Sequence, residues 1–346
     1  MKIMVTGADG YIGSVLAPFL LEHGHDVTGV DCGYYQRGWL YHDGKDRPAI
    51  LSRDIRALTA KDLAGFDAVV HLAELSNDPL GEHDPHTTYA INHEGSVRLA
   101  GLCKEAGVRR FVYTSSCSVY GAGSDDEIKT ETSEPAPQTA YAKCKVLVER
   151  DLREMADRSF TPVFLRNATA FGASPRMRFD IVLNNLAGLA WTEHEIKMVS
   201  DGTPWRPLVH VLDICEAIRL CLAAPADAIS GEAFNVGGDH LNYRVREIAD
   251  IVASVFSGCR TSFGLPSGDN RSYHVSFAKI RRHLPEFECR WTAERGARQL
   301  HDVFSRIALT PEFFAYPAYT RLQELKRLLA TQQIDADFRW QPYREI

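Results

Sequence analysis

The chain has 346 residues, of which 45% are hydrophobic and 24% are charged, a composition that fits a globular protein with a large buried core. Its formal net charge of −6 gives no reason to expect nucleic acid or an anionic membrane as a partner. We expect no membrane helix, because no apolar run reaches about 18 residues, and no signal peptide at the start. The eight cysteines form no Cys-x-x-Cys pair, which predicts neither a metal site nor a disulfide framework and favours a cytoplasmic location.

A glycine turn follows the first predicted strand. Residues 2–6 form a short β-type run, and residues 14–23 form the first predicted helix. The glycines between them have the spacing Gly-x-x-Gly-x-x-Gly, which differs from the more familiar Gly-x-Gly-x-x-Gly. Small residues let the backbone approach a pyrophosphate at the amino end of a helix. The sequence therefore predicts a dinucleotide site that begins with Gly7, Gly10, Tyr11, Ile12 and Gly13.

The next two predicted strands carry the candidates for the adenosine end of the dinucleotide. The second strand, residues 25–30, ends at Asp31, where an acidic side chain would accept hydrogen bonds from the ribose and repel a 2′-phosphate. No arginine follows until Arg37, so NAD is favoured over NADP. The third strand begins at Ile50, and Asp54 and Ile55 at its end could hold the adenine. A simple surface turn explains Asp54 equally well.

The fourth predicted strand, residues 66–73, is a near-continuous apolar run, as expected of a strand buried on both faces of a parallel sheet. Its end, Leu72 and Ala73, should lie under the cofactor. Glu74 follows directly. This carboxylate either contacts the ribose or the substrate, or it is a solvated loop residue, and the sequence leaves both alternatives open.

A long helix is predicted from about His86 to Ala106, with Asn92 in its middle, and the fifth strand follows at residues 111–114. Strands and helices that alternate at such short intervals predict a doubly wound parallel sheet. Ligands of these sheets bind outside the carboxyl ends of the strands. The glycine turn, Asp31, Ala73 and Ser116 all fall at such ends.

Tyr141 and Lys145 are the strongest candidates for chemistry. If the segment after Pro137 is helical, their spacing of four places the phenol and the ammonium on one face, a turn apart. A nearby cation favours the charged form of its partner, so Lys145 would lower the pKa of Tyr141. Ser116 could supply a third hydroxyl. A Tyr-x-x-x-Lys pair also arises by chance on exposed helices, so it gains weight only from the rest of the pattern.

In this order and at these separations, the motifs resemble the extended short-chain dehydrogenase/reductases that act on nucleotide sugars, in particular the UDP-glucose 4-epimerase-like epimerases and dehydratases. The resemblance implies an α/β fold, with a doubly wound parallel (Rossmann) sheet and a smaller mixed α/β substrate domain at the carboxyl end. It implies an NAD-binding domain over residues 1–170, to which the chain returns around 205–238, and a substrate-binding domain over 171–346. It further implies that Tyr141 is the base, that Lys145 binds the nicotinamide ribose and tunes Tyr141, and that Ser116 holds the sugar hydroxyl. Asn92 and Ser115 would brace the cofactor pocket.

Several substrate contacts are implied in the second half of the chain. Thr169 stands where the similar epimerases carry an asparagine that contacts the substrate, which is a departure from the family pattern. The loop 174–180 carries Arg178 among charges suited to a diphosphate. Arg206 and Arg271 match positions at which the family grips the nucleotide phosphates.

A nicotinamide beside a Tyr/Lys/Ser set moves hydride. Dehydratases and decarboxylases of the family place acidic residues after the central hydroxyl, where this chain has Cys117 and Ser118. By elimination we predict an NAD-dependent enzyme that epimerises a nucleotide-diphosphate sugar at C4. The alternatives are an NAD-dependent dehydrogenase or reductase with net redox change, and a non-catalytic NAD sensor of the same fold. A homodimer formed by the helices at 86–106 and 138–157 is implied by resemblance.

Overall fold

A computed structural model gives the fold for residues 1–76, 84–121, 127–265 and 272–341. In these ranges the strands, in chain order, are β1 (Lys2–Thr6), β2 (Asp26–Asp31), β3 (Ile50–Ser52), β4 (Ala68–His71), β5 (Arg110–Ser116), β6 (Ile128–Lys129), β7 (Thr161–Asn167), β8 (Thr169–Phe171), β9 (Glu195–Lys197), β10 (Trp205–His210), β11 (Ala233–Val236), β12 (Asn242–Arg244), β13 (Arg260–Ser262) and β14 (His274–Val275).

The α-helices of the same ranges are α1 (Gly13–Glu22), α2 (Ala60–Leu63), α3 (Pro85–Thr88), α4 (Ser96–Glu105), α5 (Ala140–Glu154), α6 (Val182–Thr192), α7 (Val211–Ala223), α8 (Ala226–Ile229), α9 (Val245–Val255), α10 (Ala278–His283), α11 (Ala293–Ile307), α12 (Pro311–Phe314) and α13 (Arg321–Ala330). A π-helix, Tyr89–Gly95, joins α3 to α4. In this part of the chain, none of the helices combines the length and the apolar character that crossing a bilayer requires.

Seven parallel strands form the central sheet, in the order β11-β7-β5-β4-β1-β2-β3. The chain starts in the middle of the sheet at β1 and moves to one edge before it crosses back to β4, so the strand order reverses between β1 and β4. The register pairs Thr6 with Val30 on one side and with His71 on the other, which brings the carboxyl ends of these strands to one edge. The predicted doubly wound parallel sheet is confirmed.

Helices cover both faces of this sheet because its inner strands are apolar throughout. Every residue of β4 and β7 is buried, as expected of parallel strands with no solvated face. Leu16 of α1 and Ile218 of α7 belong to the core on one face, whereas Leu99 of α4 and Val148 of α5 belong to the core on the other. Helix α5 carries Tyr141 and Lys145 along the end of β5.

A second, smaller region forms from residues after β7. It contains the three-stranded sheet β8-β10-β12 and the pair β9-β13, and its apolar core includes residues of α6, α9 and α11. The chain then returns to the large sheet, where β11 pairs with β7. Within the segment 205–238, β10 therefore belongs to the small sheet, while β11 completes the edge of the large one.

The helix predicted from about residue 86 to residue 106 contains a π-helical stretch that the sequence pattern did not indicate. This stretch carries Asn92, which is fully buried. The Asn92 side chain accepts from the backbone N–H of Leu75 at 2.8 Å and donates to its carbonyl at 3.0 Å. Short π-helical insertions often occur at functional sites. Here the insertion fixes the loop that leaves β4.

The final described segment packs against the region after β2. Leu325 and Leu328 of α13, together with Phe338, form an apolar cluster with Tyr34 and other residues near the cofactor end of the sheet. The indole N–H of Trp340 donates to the carbonyl of Cys32 at 2.6 Å. The amphipathic helix α13 thus covers one side of the cleft described next.

Candidate active site

A cleft of about 720 Å³ lies at the carboxyl edge of the central sheet. Clefts at this position are the usual ligand sites of doubly wound sheets. Its walls include most of the side chains singled out in the sequence: Gly7, Gly10, Tyr11, Ile12, Gly13, Asp31, Asp54, Ile55, Leu72, Ala73, Glu74, Ser115, Ser116, Tyr141, Lys145, Thr169, Arg178 and Arg206. Asn92 does not line the cleft and acts on it through Leu75. Arg271 lies outside the described residues.

The glycine turn forms a cradle that side chains would fill. Gly7 has a φ of +73°, and a Cβ there would come within 2.8 Å of the backbone nitrogen of Ala73. A Cβ at Gly13 would meet the carbonyl oxygen of Gly7 at 2.1 Å. In the described structure, the backbone N–H groups of Tyr11 and Ile12, just before α1, donate to no protein acceptor. These groups fit a diphosphate at the start of the helix.

Asp31 and Asp54 differ in the partners that their carboxylates bind within the protein. Asp31 accepts from the backbone N–H of Asp9 at 3.0 Å and of Gly33 at 2.8 Å, and burial raises its pKa. It lines the cleft at the end of β2, where an adenosine ribose fits. Asp54 is held by Arg56 at 2.6 Å and also accepts from the Arg56 backbone N–H. The neighbouring Ile55 is buried and offers an apolar surface for the adenine.

The helix that carries the catalytic candidates begins directly at them. Thr139 caps α5 by accepting from the N–H of Ala142 at 3.2 Å. Tyr141 and Lys145 then lie one turn apart, with the Lys145 Nζ 5.3 Å from the centre of the Tyr141 ring. The same Nζ donates to the carbonyl of Thr114 in β5 at 2.5 Å, which anchors the helix to the strand.

Ser116 and Ser115 follow each other but face different surroundings. Ser116 is half-buried at the end of β5, and its hydroxyl accepts from the N–H of Ser118 at 3.1 Å. The Ser115 hydroxyl donates to Glu149 of α5 at 2.5 Å. Glu149 in turn pairs with Arg166 of β7 at 2.7 Å. Ser115 therefore ties the end of β5 to α5 from the core side.

Glu74 is not a solvated loop residue, and that interpretation of the sequence is wrong. Its side chain is 3% exposed and forms an ion pair with Lys145, whose side chain is 4% exposed. It also accepts from the hydroxyl of Tyr113 at 2.6 Å. Burial raises the pKa of Glu74, and the charge of Lys145 opposes that rise. Burial acts to lower the pKa of Lys145, but Glu74 and its other neighbours outweigh it and the net shift is upward.

The candidate substrate residues of the described structure come from the second half of the chain and line the same cleft as the glycine turn. Thr169 is half-buried in β8. Arg178 is buried, pairs with Asp180 at 2.8 Å and donates to the carbonyl of Ser76 at 3.2 Å. Arg206 donates to the carbonyl of Trp205 at 2.9 Å, and its guanidinium lies 5.7 Å from the ring centre of Tyr273.

Sequence reasoning missed a buried cation of the cleft, Arg321. It opens α13, is 2% exposed and stacks 4.0 Å from the ring centre of Tyr35. Its guanidinium donates to the carbonyls of Ala318 and Arg176. In the described structure no carboxylate forms an ion pair with it, and burial lowers its pKa to about 10. The leucines that follow it, at 322, 325, 328 and 329, predict an amphipathic helix, but such a pattern indicates packing and gives no sign of a cleft residue.

A dinucleotide cradle at the switch point of the sheet, together with a Tyr/Lys pair and a serine, defines a nicotinamide-dependent enzyme of the short-chain dehydrogenase/reductase type. The family model described as NAD dependent epimerase/dehydratase family matches residues 3–237, more than half of the chain. The chain therefore belongs to the NAD-dependent epimerase/dehydratase family. It is an enzyme of the sugar-epimerase type, and NAD is its cofactor.

Individual relatives agree with this assignment. The chain is 26% identical to the UDP-glucose 4-epimerase of Bacillus subtilis (strain 168), over 87% of this chain and 94% of that protein. It is 31% identical to the UDP-glucose 4-epimerase of Mycolicibacterium smegmatis, over 68% of this chain and 77% of that protein. Among solved structures it is similar to MoeE5 in complex with UDP-glucuronic acid and NAD, with a TM-score of 0.76 and 27% identity over 89% of this chain and all of that one.

Proposed function

We propose that the protein epimerises a nucleotide-diphosphate sugar at C4, through a keto sugar that forms and is reduced again in the same cleft. The observation that carries the proposal is that Tyr141, Lys145 and Ser116 line one cleft, whose glycine cradle fits the NAD diphosphate. The names of the relatives, UDP-glucose 4-epimerase, support a UDP-sugar and the C4 position.

In this mechanism the chain's own residues move one proton out and back. When bound in this cleft, NAD would supply the hydride chemistry, with removal of a hydride from the sugar carbon and its return to the opposite face. Tyr141 takes the proton of the C4 hydroxyl, while Ser116 hydrogen-bonds the same oxygen and holds it in place. Because epimerisation has no net redox change, Tyr141 then returns that proton to the ketone oxygen. Lys145 holds the nicotinamide ribose and favours the phenolate of Tyr141.

Arg206 is the proposed ligand of the substrate diphosphate. A guanidinium at the cleft wall suits phosphate oxygens because its planar donors can bind two of them at once. Arg178, which is already paired with Asp180, would hold the adjoining loop and add to the positive potential. Arg271 remains a proposed second phosphate ligand. At Thr169 a hydroxyl would meet the sugar where related epimerases carry an amide.

Residue Cys117 counts against a dehydratase. It follows Ser116, is 1% exposed, and its thiol donates to the carbonyl of Arg166 at 3.2 Å. Burial raises the pKa of this thiol, so it cannot shuttle protons near neutral pH. Ser118, which does line the cleft, offers a hydroxyl and not the carboxylate that elimination of water needs.

We also propose a cytoplasmic homodimer. All eight cysteines are free thiols, which suits a reducing compartment. The helices proposed to meet across the dimer are α3 to α4 and α5, which are linked on their outer side by His93 and Asp151 at 2.7 Å. Sedimentation of the purified protein measures whether one or two copies move together.

The function is tested with the purified full chain. Retained NAD(H) is measured by ultraviolet absorbance, and the protein is then incubated with UDP-glucose, UDP-galactose, UDP-glucuronic acid and the corresponding dTDP-sugars. We expect interconversion of one C4 pair with no net change in NADH. Stoichiometric formation or consumption of NADH would support the net dehydrogenase or reductase instead. Loss of water from the sugar would contradict the epimerase, and NAD binding without any turnover would favour a sensor.

A further inference from the structure

Glu74 places a negative charge next to Lys145, whose positive charge the proposed chemistry needs. Lys145 has three N–H donors, one of which is used by the Thr114 carbonyl at 2.5 Å, and its ammonium forms an ion pair with the Glu74 carboxylate. The carboxylate is fixed from its other side by the Tyr113 hydroxyl at 2.6 Å. Lys145 therefore reaches Tyr141 as one half of a buried ion pair and not as an isolated cation.

The other groups around Tyr141 and Lys145 in the described structure are neutral near pH 7 or have their own partners. Tyr113 of β5 and Cys144 of α5 keep their protons because burial raises the pKa of both, that of Cys144 to about 12. His71 of β4, which faces Lys145, stays neutral because burial lowers its pKa to about 3.

Among the residues that the structure describes, the remaining charged neighbours are an arginine and a second carboxylate. Arg178, from the loop before α6, faces Tyr141 but is paired with Asp180. Glu149 of α5 faces Tyr113 and is paired with Arg166. Among these described neighbours, Glu74 is the carboxylate that acts directly on the charge of Lys145.

We propose that Glu74 is a positioning residue of the reaction, which holds Lys145 and offsets its charge so that Tyr141 keeps its proton to a higher pH than Lys145 alone would allow. The inference rests on the proposed function, because it takes Tyr141 as the group that transfers the proton. The reason is Coulombic: a carboxylate within several ångströms disfavours a phenolate, and low exposure weakens screening by solvent.

This arrangement suits a residue that must both remove and return a proton within one turnover. A phenolate with a very low proton affinity would take the sugar proton slowly in the first step, although it would return that proton readily. By moderating the effect of Lys145, Glu74 would bring the two proton steps closer in rate. Glu74 is therefore a third charged group of the site, beside Tyr141 and Lys145, which the sequence already indicated.

The test measures Tyr141 directly. The phenolate of Tyr141 is titrated by near-ultraviolet absorbance in the full chain, with the spectrum of the corresponding Tyr141→Phe protein subtracted at each pH. We expect Glu74→Gln to move the midpoint to lower pH by about one unit or more. A midpoint that is unchanged, or that rises because Lys145 has lost its proton, would overturn the proposal.

Three variants control the interpretation. Glu149→Gln makes the same change in a buried carboxylate that pairs with Arg166, and it should leave the Tyr141 midpoint within about 0.3 units, as expected for a group without direct contact to Lys145. Glu74→Asp keeps the charge and should restore most of the original midpoint. Glu74→Ala, whose cavity admits water to Lys145, replaces Glu74→Gln if that protein does not fold, with the same expected direction.

Activity separates this inference from the proposed function. If both hold, the acidic limb of the pH profile of epimerisation shifts in Glu74→Gln by the same amount as the phenolate. A shifted phenolate in a protein that turns over no nucleotide sugar would preserve the role of Glu74 and count against the function. Normal turnover with an unshifted phenolate midpoint would contradict the role of Glu74 and leave the proposed function intact.

Discussion

Two buried carboxylates near the end of β5 have similar exposure and different surroundings. The side chains of Glu74 and Glu149 are each 3% exposed, and each pairs with one cation, Lys145 and Arg166 respectively. Glu74 lines the cleft, whereas Glu149 lies behind it and ties α5 to β5 and β7. The difference shows that burial and pairing alone do not mark a functional carboxylate. What we expect to matter is whether the carboxylate lies in the cleft beside the groups proposed to react.

The comparison divides the molecule into a cleft-facing set of residues and an enclosed set. Changes in the first set should alter turnover or substrate affinity and leave folding nearly intact. Changes in the second set should alter stability and leave the chemistry nearly intact. Four substitutions, taken from the largest expected effect to the smallest, test this division.

Tyr141→Phe tests the cleft-facing set most severely. Removing the hydroxyl removes the group proposed to take and return the proton, so turnover should fall by at least about a thousandfold. NAD should still bind, because the glycine cradle and Asp31 are unchanged. Turnover is measured with the active nucleotide sugar, and bound NAD by absorbance after gel filtration. A rate within tenfold of the parent would remove Tyr141 from this role.

Glu149→Gln tests the enclosed set. It leaves the Arg166 guanidinium buried without its carboxylate, and breaking such a pair typically costs about 3 to 5 kcal/mol of unfolding free energy. Urea denaturation at pH 7 measures the loss. The substrate KM and the turnover of the folded fraction should stay within about threefold of the parent. A large loss of turnover in a fully folded protein would erase the distinction between the two carboxylates.

The pKa of His71 predicts how the stability of the enclosed set changes in acid. Burial lowers its pKa from the ordinary 6.5 to about 3, while its ring nitrogens bond the hydroxyls of Thr6 and Ser96. The unfolded chain therefore takes up the proton first as the pH falls, so stability is full above about pH 6.5 and declines towards pH 3. By pH 4 this one group should cost about 3 kcal/mol.

The measurement compares the parent with His71→Gln, which keeps a donor and an acceptor for the two hydroxyls but does not titrate. Urea unfolding is followed at pH 7, 5 and 4 in both proteins. The stability of the parent relative to the variant should fall as the pH is lowered. Parallel decline of the two proteins would assign acid sensitivity to other groups.

Arg206→Gln should have the smallest effect of the four. Loss of one charge-assisted contact to a diphosphate weakens binding by about 1.5 to 3 kcal/mol, which corresponds to an increase in KM of roughly tenfold or more. The effect on kcat should be smaller, since Arg206 does not touch the reacting carbon in this mechanism. Arg178→Gln offers a contrast, because removing the partner of Asp180 should disturb the loop and lower thermal stability as well.

Local patterns in the sequence predicted the sheet and much of the cleft for a physical reason. Parallel strands buried on both faces are written as continuous apolar runs, and a backbone that must approach a phosphate requires glycine at positions such as Gly7. Since parallel strands end at one edge, residues that follow them fall together without further information. The spacing of Tyr141 and Lys145 needed only the helix α5.

The features that the sequence did not predict depend on distant partners. The state of Glu74 is set by Tyr113, 39 residues away, and by Lys145, 71 residues away, so its burial has no local signature. The hydroxyl of Ser115 donates to Glu149, 34 residues further along the chain. Arg321 reaches the cleft only because α13 folds across it. The individual roles of the site residues remain predictions that the substitutions above address.

The contact of Trp340 with Cys32 has a consequence for biosynthesis. These residues are 308 positions apart, and the Tyr34 hydroxyl likewise bonds the carbonyl of Phe338. A nascent chain can form the first strands and the glycine turn early, yet the wall beside them stays open to solvent until residues 321–340 leave the ribosome. Contacts of such high sequence separation form late and slow the final step of folding. The nucleotide-binding half of this protein is thus the first to be translated and among the last to be finished.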